Sequence, residues 1–287
     1  MLSRPARDGR ACTQAKGAAM DSGPGAAEPL APASDAALAP PAPRRDPLGA
    51  GGALLLYVLY FAGQLVIGVV LGLIAAFGVS AGDHGERAVG LSPELVMGAV
   101  VAGVLLGAWF VLEVAMRWSP PRAGGLAALD IGWSTGTRRQ VVLAGLAGML
   151  LAVLWTVSAP WFISRWPSAE PGPALKAARH SHFTLAAWSG LALLVAPPVE
   201  ELLFRGLMLR GLTRSWGPFA AGLCVTALFV ASHVFDIGFF VPGLMVIAAL
   251  GCATLAARAA THALGPAIAL HAGYNLVIVV VATVLMA

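Results

Sequence analysis

The sequence predicts an all-α fold, a polytopic transmembrane helical bundle of about seven spans, with eight as the alternative count. Three observations carry this expectation. Of the 287 residues, 58% are hydrophobic and only 11% are charged. A soluble domain carries about 25% charged residues, so this chain cannot build a water-soluble surface, and an ordinary soluble enzyme is excluded. From Gly52 onward, apolar blocks alternate with short polar breaks, and most blocks reach the ~20 residues that cross a ~30 Å hydrocarbon core. Segments surrounded by lipid must satisfy their own backbone groups, which leaves helices. The three cysteines, Cys12, Cys224 and Cys252, are too few and too dispersed for a disulfide scaffold or a Cys-ligated zinc cluster.

Residues 1–50 stand apart. They are rich in Ala, Pro and Gly, hold six of the 18 basic residues and contain no apolar run. Such a segment buries too little apolar area to offset its ordering entropy, so a disordered cytoplasmic tail is expected. No apolar h-region follows the early arginines, which argues against a signal peptide, and Met20 is an alternative start. The expected spans are 53–79, 95–116, 141–163, 184–209, 218–235, 239–257 and 264–286. The fifth and sixth are short and closely joined, so a re-entrant pair is an alternative there. Residues 51–180 read as N-terminal transmembrane helices, and 181–287 as the core that carries the polar motifs.

Basic residues set the orientation. With the tail inside, Arg4, Arg7, Arg10, Lys16, Arg44, Arg45, Arg117, Arg122, Arg138, Arg139, Arg205, Arg210, Arg214 and Arg258 are cytoplasmic, 14 of the 18. Arg87, Arg165, Lys176 and Arg179 lie outside. An odd number of spans then leaves the C-terminus outside.

Ionisable residues within apolar runs are the informative ones, because each is costly in lipid unless paired or hydrated. Here they gather in three late spans. The first group is Pro197-Pro198-Val199-Glu200-Glu201, followed by Arg205. The prolines kink or break the helix just before the acids. Glu201 and Arg205 stand four apart with the acid first, the favourable order for a helical ion pair. Glu200, about 100° further round, faces elsewhere. Two adjacent carboxylates in low dielectric suit one of them to act as a base. The second group is Phe229 and His233, with Asp236 beyond; the third is His271 and Asn275, stacked one turn apart. Each group alone has a structural reading, as a helix cap or a polar seam between helices. Together they form the inventory that amide hydrolysis needs, a base for water and donors for a developing oxyanion. In the first three spans only Gln64 and Glu113 are comparable. Depth is a partial test. Glu200 lies roughly 15 Å from Arg210, and His233 roughly 22 Å from Pro218, so the two are out of level by this ruler.

These residues resemble the motifs of the CAAX protease and bacteriocin-processing family of intramembrane endopeptidases, which includes the Ras-converting type of CAAX prenyl endopeptidase. Glu-Glu-x-x-x-Arg is matched by Glu200 to Arg205, Phe-x-x-x-His by Phe229 to His233, and His-x-x-x-Asn/Asp by His271 to Asn275. The likeness covers about residues 180–287. It implies a helical bundle with an intramembrane cavity, in which Glu200 and His233 activate water and His271 and Asn275 form the oxyanion site. Glu201, Arg205 and Phe229 would support them. The family is often labelled metalloprotease, and Glu200, His233 and His271 could supply a His₂Glu zinc set. The favoured reading needs no cofactor, with Zn²⁺ as the competing one.

The expected function is therefore cleavage of a peptide bond in a membrane-associated protein or peptide. A proton-coupled transporter, since Glu and His also relay protons in membranes, and a non-catalytic membrane scaffold are the alternatives. The expected partners are that substrate and the lipid bilayer, with no nucleic acid. The Ala/Gly/Pro/Arg-rich composition suggests a high-GC bacterium and hence its inner membrane.

Overall fold

The computed structural model describes residues 49–80, 92–118, 131–166 and 173–284, and among these every regular element is a helix. The expected disordered tail lies outside the described residues, apart from its last two positions, which open the first helix. The chain runs α1 (Ala50–Ser80), α2 (Pro93–Trp118), α3 (Arg138–Ile163), a short α4 (Pro173–Ala178) and α5 (His182–Gly190). A π-helical segment, Leu191–Val195, leads into α6 (Ala196–Glu201), and a second, Leu202–Met208, leads out of it into α7 (Leu209–Ile237). Then come α8 (Val241–Thr261) and α9 (Leu264–Val284).

Local chemistry explains where the elements begin. Thr137 and Gln140 cap α3 reciprocally, each side chain meeting the other's backbone N–H, which satisfies two of the donors a helix start leaves open. Ser181 and Thr184 do the same for α5, and the Thr184 hydroxyl also donates to Ala178 O at 3.0 Å. α8 stops where His262 turns left-handed at φ 54°.

Six stretches are long and apolar enough to cross a membrane, by length and composition. One of them, His182–Val234, has 53 residues, roughly 80 Å of helix against a hydrocarbon core of ~30 Å. It is divided at Gly217, whose φ of 79° and ψ of 166° belong to no helix and which precedes Pro218. The described residues thus hold seven apolar helical arms, as expected, with one boundary corrected. The fourth arm does not end at residue 209 but continues through Arg210 and Arg214 to Trp216. The sixth, 21 residues long, has the length of a full span.

The polarity of the bundle is that of an integral membrane protein. Large apolar side chains such as Leu65, Val157, Phe183, Leu194 and Phe219 face outward. Glu201, Arg205, Thr254 and His271 are buried.

Two contacts place α9. It packs along α3 in the most extensive helix–helix interface described. There the backbones touch: a Cβ on Gly148 would overlap the carbonyl of Leu270, and one on Gly273 that of Gly145. Glycine at these positions is what allows the approach. The start of α9 is held by the loop before α3, with Leu264 N–H bonded to Gly132 O at 2.9 Å and Gly265 N–H to Ser134 O at 3.0 Å. Ile131, fully buried, lies against Gly206. This loop recesses α9, so Leu264 sits at the level of Gly206 rather than of Gly217. Residues Arg45–Ala287 form one compact unit.

Candidate active site

Glu200 and Glu201 end α6, between the two π segments. The π segments shift the helix register on either side of the pair, a device often found at functional sites. Glu201 faces inward and is fully buried, and its Oε1 accepts from Arg205 Nη1 at 3.2 Å and from His271 Nδ1 at 2.9 Å. Arg205, equally buried, also donates from Nη2 to Gly251 O at 3.0 Å on α8. Its guanidinium lies 4.3 Å from the centre of the Phe229 ring, a cation–π contact. Phe229 is thus the floor of the site: its ring meets Arg205, His233 and His271, and its carbonyl takes the Nδ1 proton of His233 at 2.8 Å.

Glu200 is partly exposed, at 20%, as is His233, at 18%. Its Oε2 stands 4.0 Å from His233 Nε2 and 4.0 Å from His271 Nε2, with no hydrogen-bond partner among the described residues. The tautomers follow from the partners. A carbonyl only accepts, so His233 carries its proton on Nδ1, and the carboxylate of Glu201 assigns the same to His271. With Nδ1 protonated, each imidazole in its neutral form turns an Nε2 lone pair toward one oxygen of Glu200, and in its charged form an Nε2 proton.

The mismatch in depth between Glu200 and His233 disappears with the corrected boundary. Glu200 is 17 residues before Gly217 and His233 is 16 after it, each roughly 25 Å along its arm. Their side chains meet because the arms fold back at Gly217 and are equally long.

The structure thus brings Glu200, Glu201, Arg205, Phe229, His233 and His271 together. Asn275, expected beside His271, has its Nδ2 bonded to Ala192 O at 2.8 Å, in the first π segment. Residues from α1 also border the site. Tyr60 is buried, hydrogen-bonds to Gln64 and lies within electrostatic reach of Glu200. Gln64 was visible in the sequence as a polar residue in an apolar span, but nothing there linked it to Glu200. The acceptors Gly251 O and Ala192 O are backbone groups, which carry no side-chain signature.

Glu200, His233 and His271 have the ligand types of a zinc site. A tetrahedral ion at about 2.0–2.1 Å from its ligands, however, would hold them about 3.4 Å apart. The 4.0 Å separations are wider, and among the described residues no three His, Cys, Asp or Glu side chains are gathered closely enough to hold a metal ion. As placed, the set does not fit zinc.

Comparison with known proteins adds a family likeness over part of the chain. No curated protein and no solved structure matches the chain. Residues 182–277, which hold both glutamates, both histidines and Asn275, match the family model described as Type II CAAX prenyl endopeptidase Rce1-like. Over this segment, about a third of the chain, the protein is similar to the Rce1-like type II CAAX prenyl endopeptidases.

Proposed function

We propose that the protein is an intramembrane endopeptidase that hydrolyses a peptide bond of a membrane-associated protein or peptide. The observation that carries this reading is the convergence of Glu200 Oε2, His233 Nε2 and His271 Nε2 at 4.0 Å separations. One water spans such a gap, with hydrogen bonds of about 2.8 Å to either side. Glu200 takes a proton from that water as its oxygen adds to the scissile carbonyl carbon, while His233, held by Phe229 O, orients it. The oxyanion that forms needs donors. His271 supplies one from Nε2 once it has taken a proton from solvent to become the imidazolium, whose Nδ1 proton rests on Glu201. Collapse of the adduct breaks the C–N bond, and the proton held by Glu200 passes to the leaving nitrogen.

Cytoplasmic placement of the N-terminus is supported by the excess of basic residues in the inside segments, and a bacterial inner membrane by the composition.

Purified protein incubated with a library of membrane peptides tests the reading. Glu200→Gln and His233→Ala should each lower kcat/KM by about 10²–10⁴-fold, the usual worth of general acid–base help. Cleavage by either variant at the wild-type rate overturns it. A chelator arm tests the metal-free chemistry: activity should persist, and loss that zinc restores would replace the water-activation step by a metal-centred one.

A further inference from the structure

The hydrogen bond of Asn275 answers a defect that the prolines create. In the segment Leu191–Val195 the backbone bonds reach back five residues, and Ala196 N–H donates to Leu191 O. The next donor in this ladder belongs to residue 197, whose target is Ala192 O. Residue 197 is proline and has no N–H. The carbonyl of Ala192 is therefore left without its own-helix donor inside an apolar bundle, where an unpaired buried group costs about 1–3 kcal/mol. Asn275, from α9, fills the position at 2.8 Å.

We propose that Asn275 is a positioning residue, which replaces the N–H missing at Pro197 and so anchors the arm that carries Glu200 to the helix that carries His271. α9 grips this arm at two points, one turn apart on its own axis. His271 Nδ1 holds Glu201, and Asn275 Nδ2 holds Ala192, eight residues before Glu200. The two grips together set how far Glu200 Oε2 stands from His271 Nε2. The consequence for catalysis rests on the endopeptidase reading; the anchor itself does not.

The test is compensation. Pro197→Ala restores an N–H that can reach Ala192 O, and so makes the asparagine dispensable. Asn275→Leu, close in size but without donors, should lower kcat by about 10²-fold, the scale of a misplacement of about 1 Å, with KM little changed. Asn275→Ala, which also opens space, should behave alike. Pro197→Ala alone should stay within a few-fold of wild type, and the double variant with Asn275→Leu should return to the level of Pro197→Ala. A double variant as slow as Asn275→Leu would overturn the proposal, because the amide would then act on the reacting atoms directly. Hydrogen exchange supplies a readout without turnover. Amides of residues 193–201 should exchange faster in Asn275→Leu and regain protection in the double variant, while those of α1 and α2 stay unchanged. Unaltered exchange over 193–201 in Asn275→Leu would likewise overturn the anchor. A wild-type chain that cleaves no peptide would remove the endopeptidase reading and leave exchange alone to decide the anchor.

Discussion

Arg205 makes three different interactions from a position with no solvent exposure: an ion pair to Glu201, a hydrogen bond to Gly251 O and a face contact with Phe229. Only the first was legible in the sequence, because a spacing of four on a helix is a local relation. The other two join residues 46 and 24 positions away, and no pattern along the chain encodes them. They also make arginine irreplaceable by lysine, whose single ammonium cannot point two donors in fixed directions while lying flat on a ring. Arg205→Lys should destabilise the bundle by about 1.5–3 kcal/mol, the worth of a charged hydrogen bond left unmade. Arg205→Ala should cost about 3–5 kcal/mol, since it abandons a buried carboxylate. Denaturation in detergent micelles measures both, and an Arg205→Lys protein as stable as wild type would show that the Gly251 contact contributes nothing.

At the scale of elements, span positions were readable and span ends were not. Hydropathy reports where the hydrocarbon ends, whereas a helix ends where its hydrogen-bond ladder does. Arg210 and Arg214 ended the fourth arm in the sequence reading, yet the ladder continues through both to Gly217. The π segments were hidden as well: two prolines announce a disturbance, but not the register of the carbonyls before them. The fit of α3 to α9 is also set at this scale. Gly273 faces the backbone of Gly145 so closely that a methyl group has no room, and it lies two residues from both His271 and Asn275. Gly273→Ala should prise α9 from α3, lower stability by about 1–3 kcal/mol, the usual cost of overpacking, and reduce peptide cleavage with it. Gly63→Ala is the matched control. It also sits within a long apolar helix, but a Cβ there meets nothing within 4 Å, so its stability should equal or slightly exceed that of wild type by helix propensity. Equal behaviour of the two variants would show that the close approach of α3 and α9 does not hold the site.

For the whole molecule, the scarcity of charge is what made the site stand out. A soluble protein would hide two carboxylates among a charged surface; here Glu200 and Glu201, two of only 14 acidic residues, lie in a bundle whose outside is apolar. The same scarcity makes the orientation testable, since the order of the basic residues along the sequence assigns most of them to one side of the seven arms. Trp216, 48% exposed beside the Gly217 break, and Phe239, 83% exposed between α7 and α8, mark the two ends of the fifth arm. With the tail inside, the first belongs to the cytoplasmic face and the second to the outer face. In a chain whose native cysteines are replaced by alanine, Phe239→Cys should react with a membrane-impermeant maleimide in intact cells. Trp216→Cys should react only after the membrane is opened. The reverse pattern would invert the orientation while keeping the seven arms. Reaction of both from one side would mean that the arm from Pro218 to Ile237 does not cross, and would return the fifth and sixth arms to the re-entrant pair that their lengths in the sequence had left open.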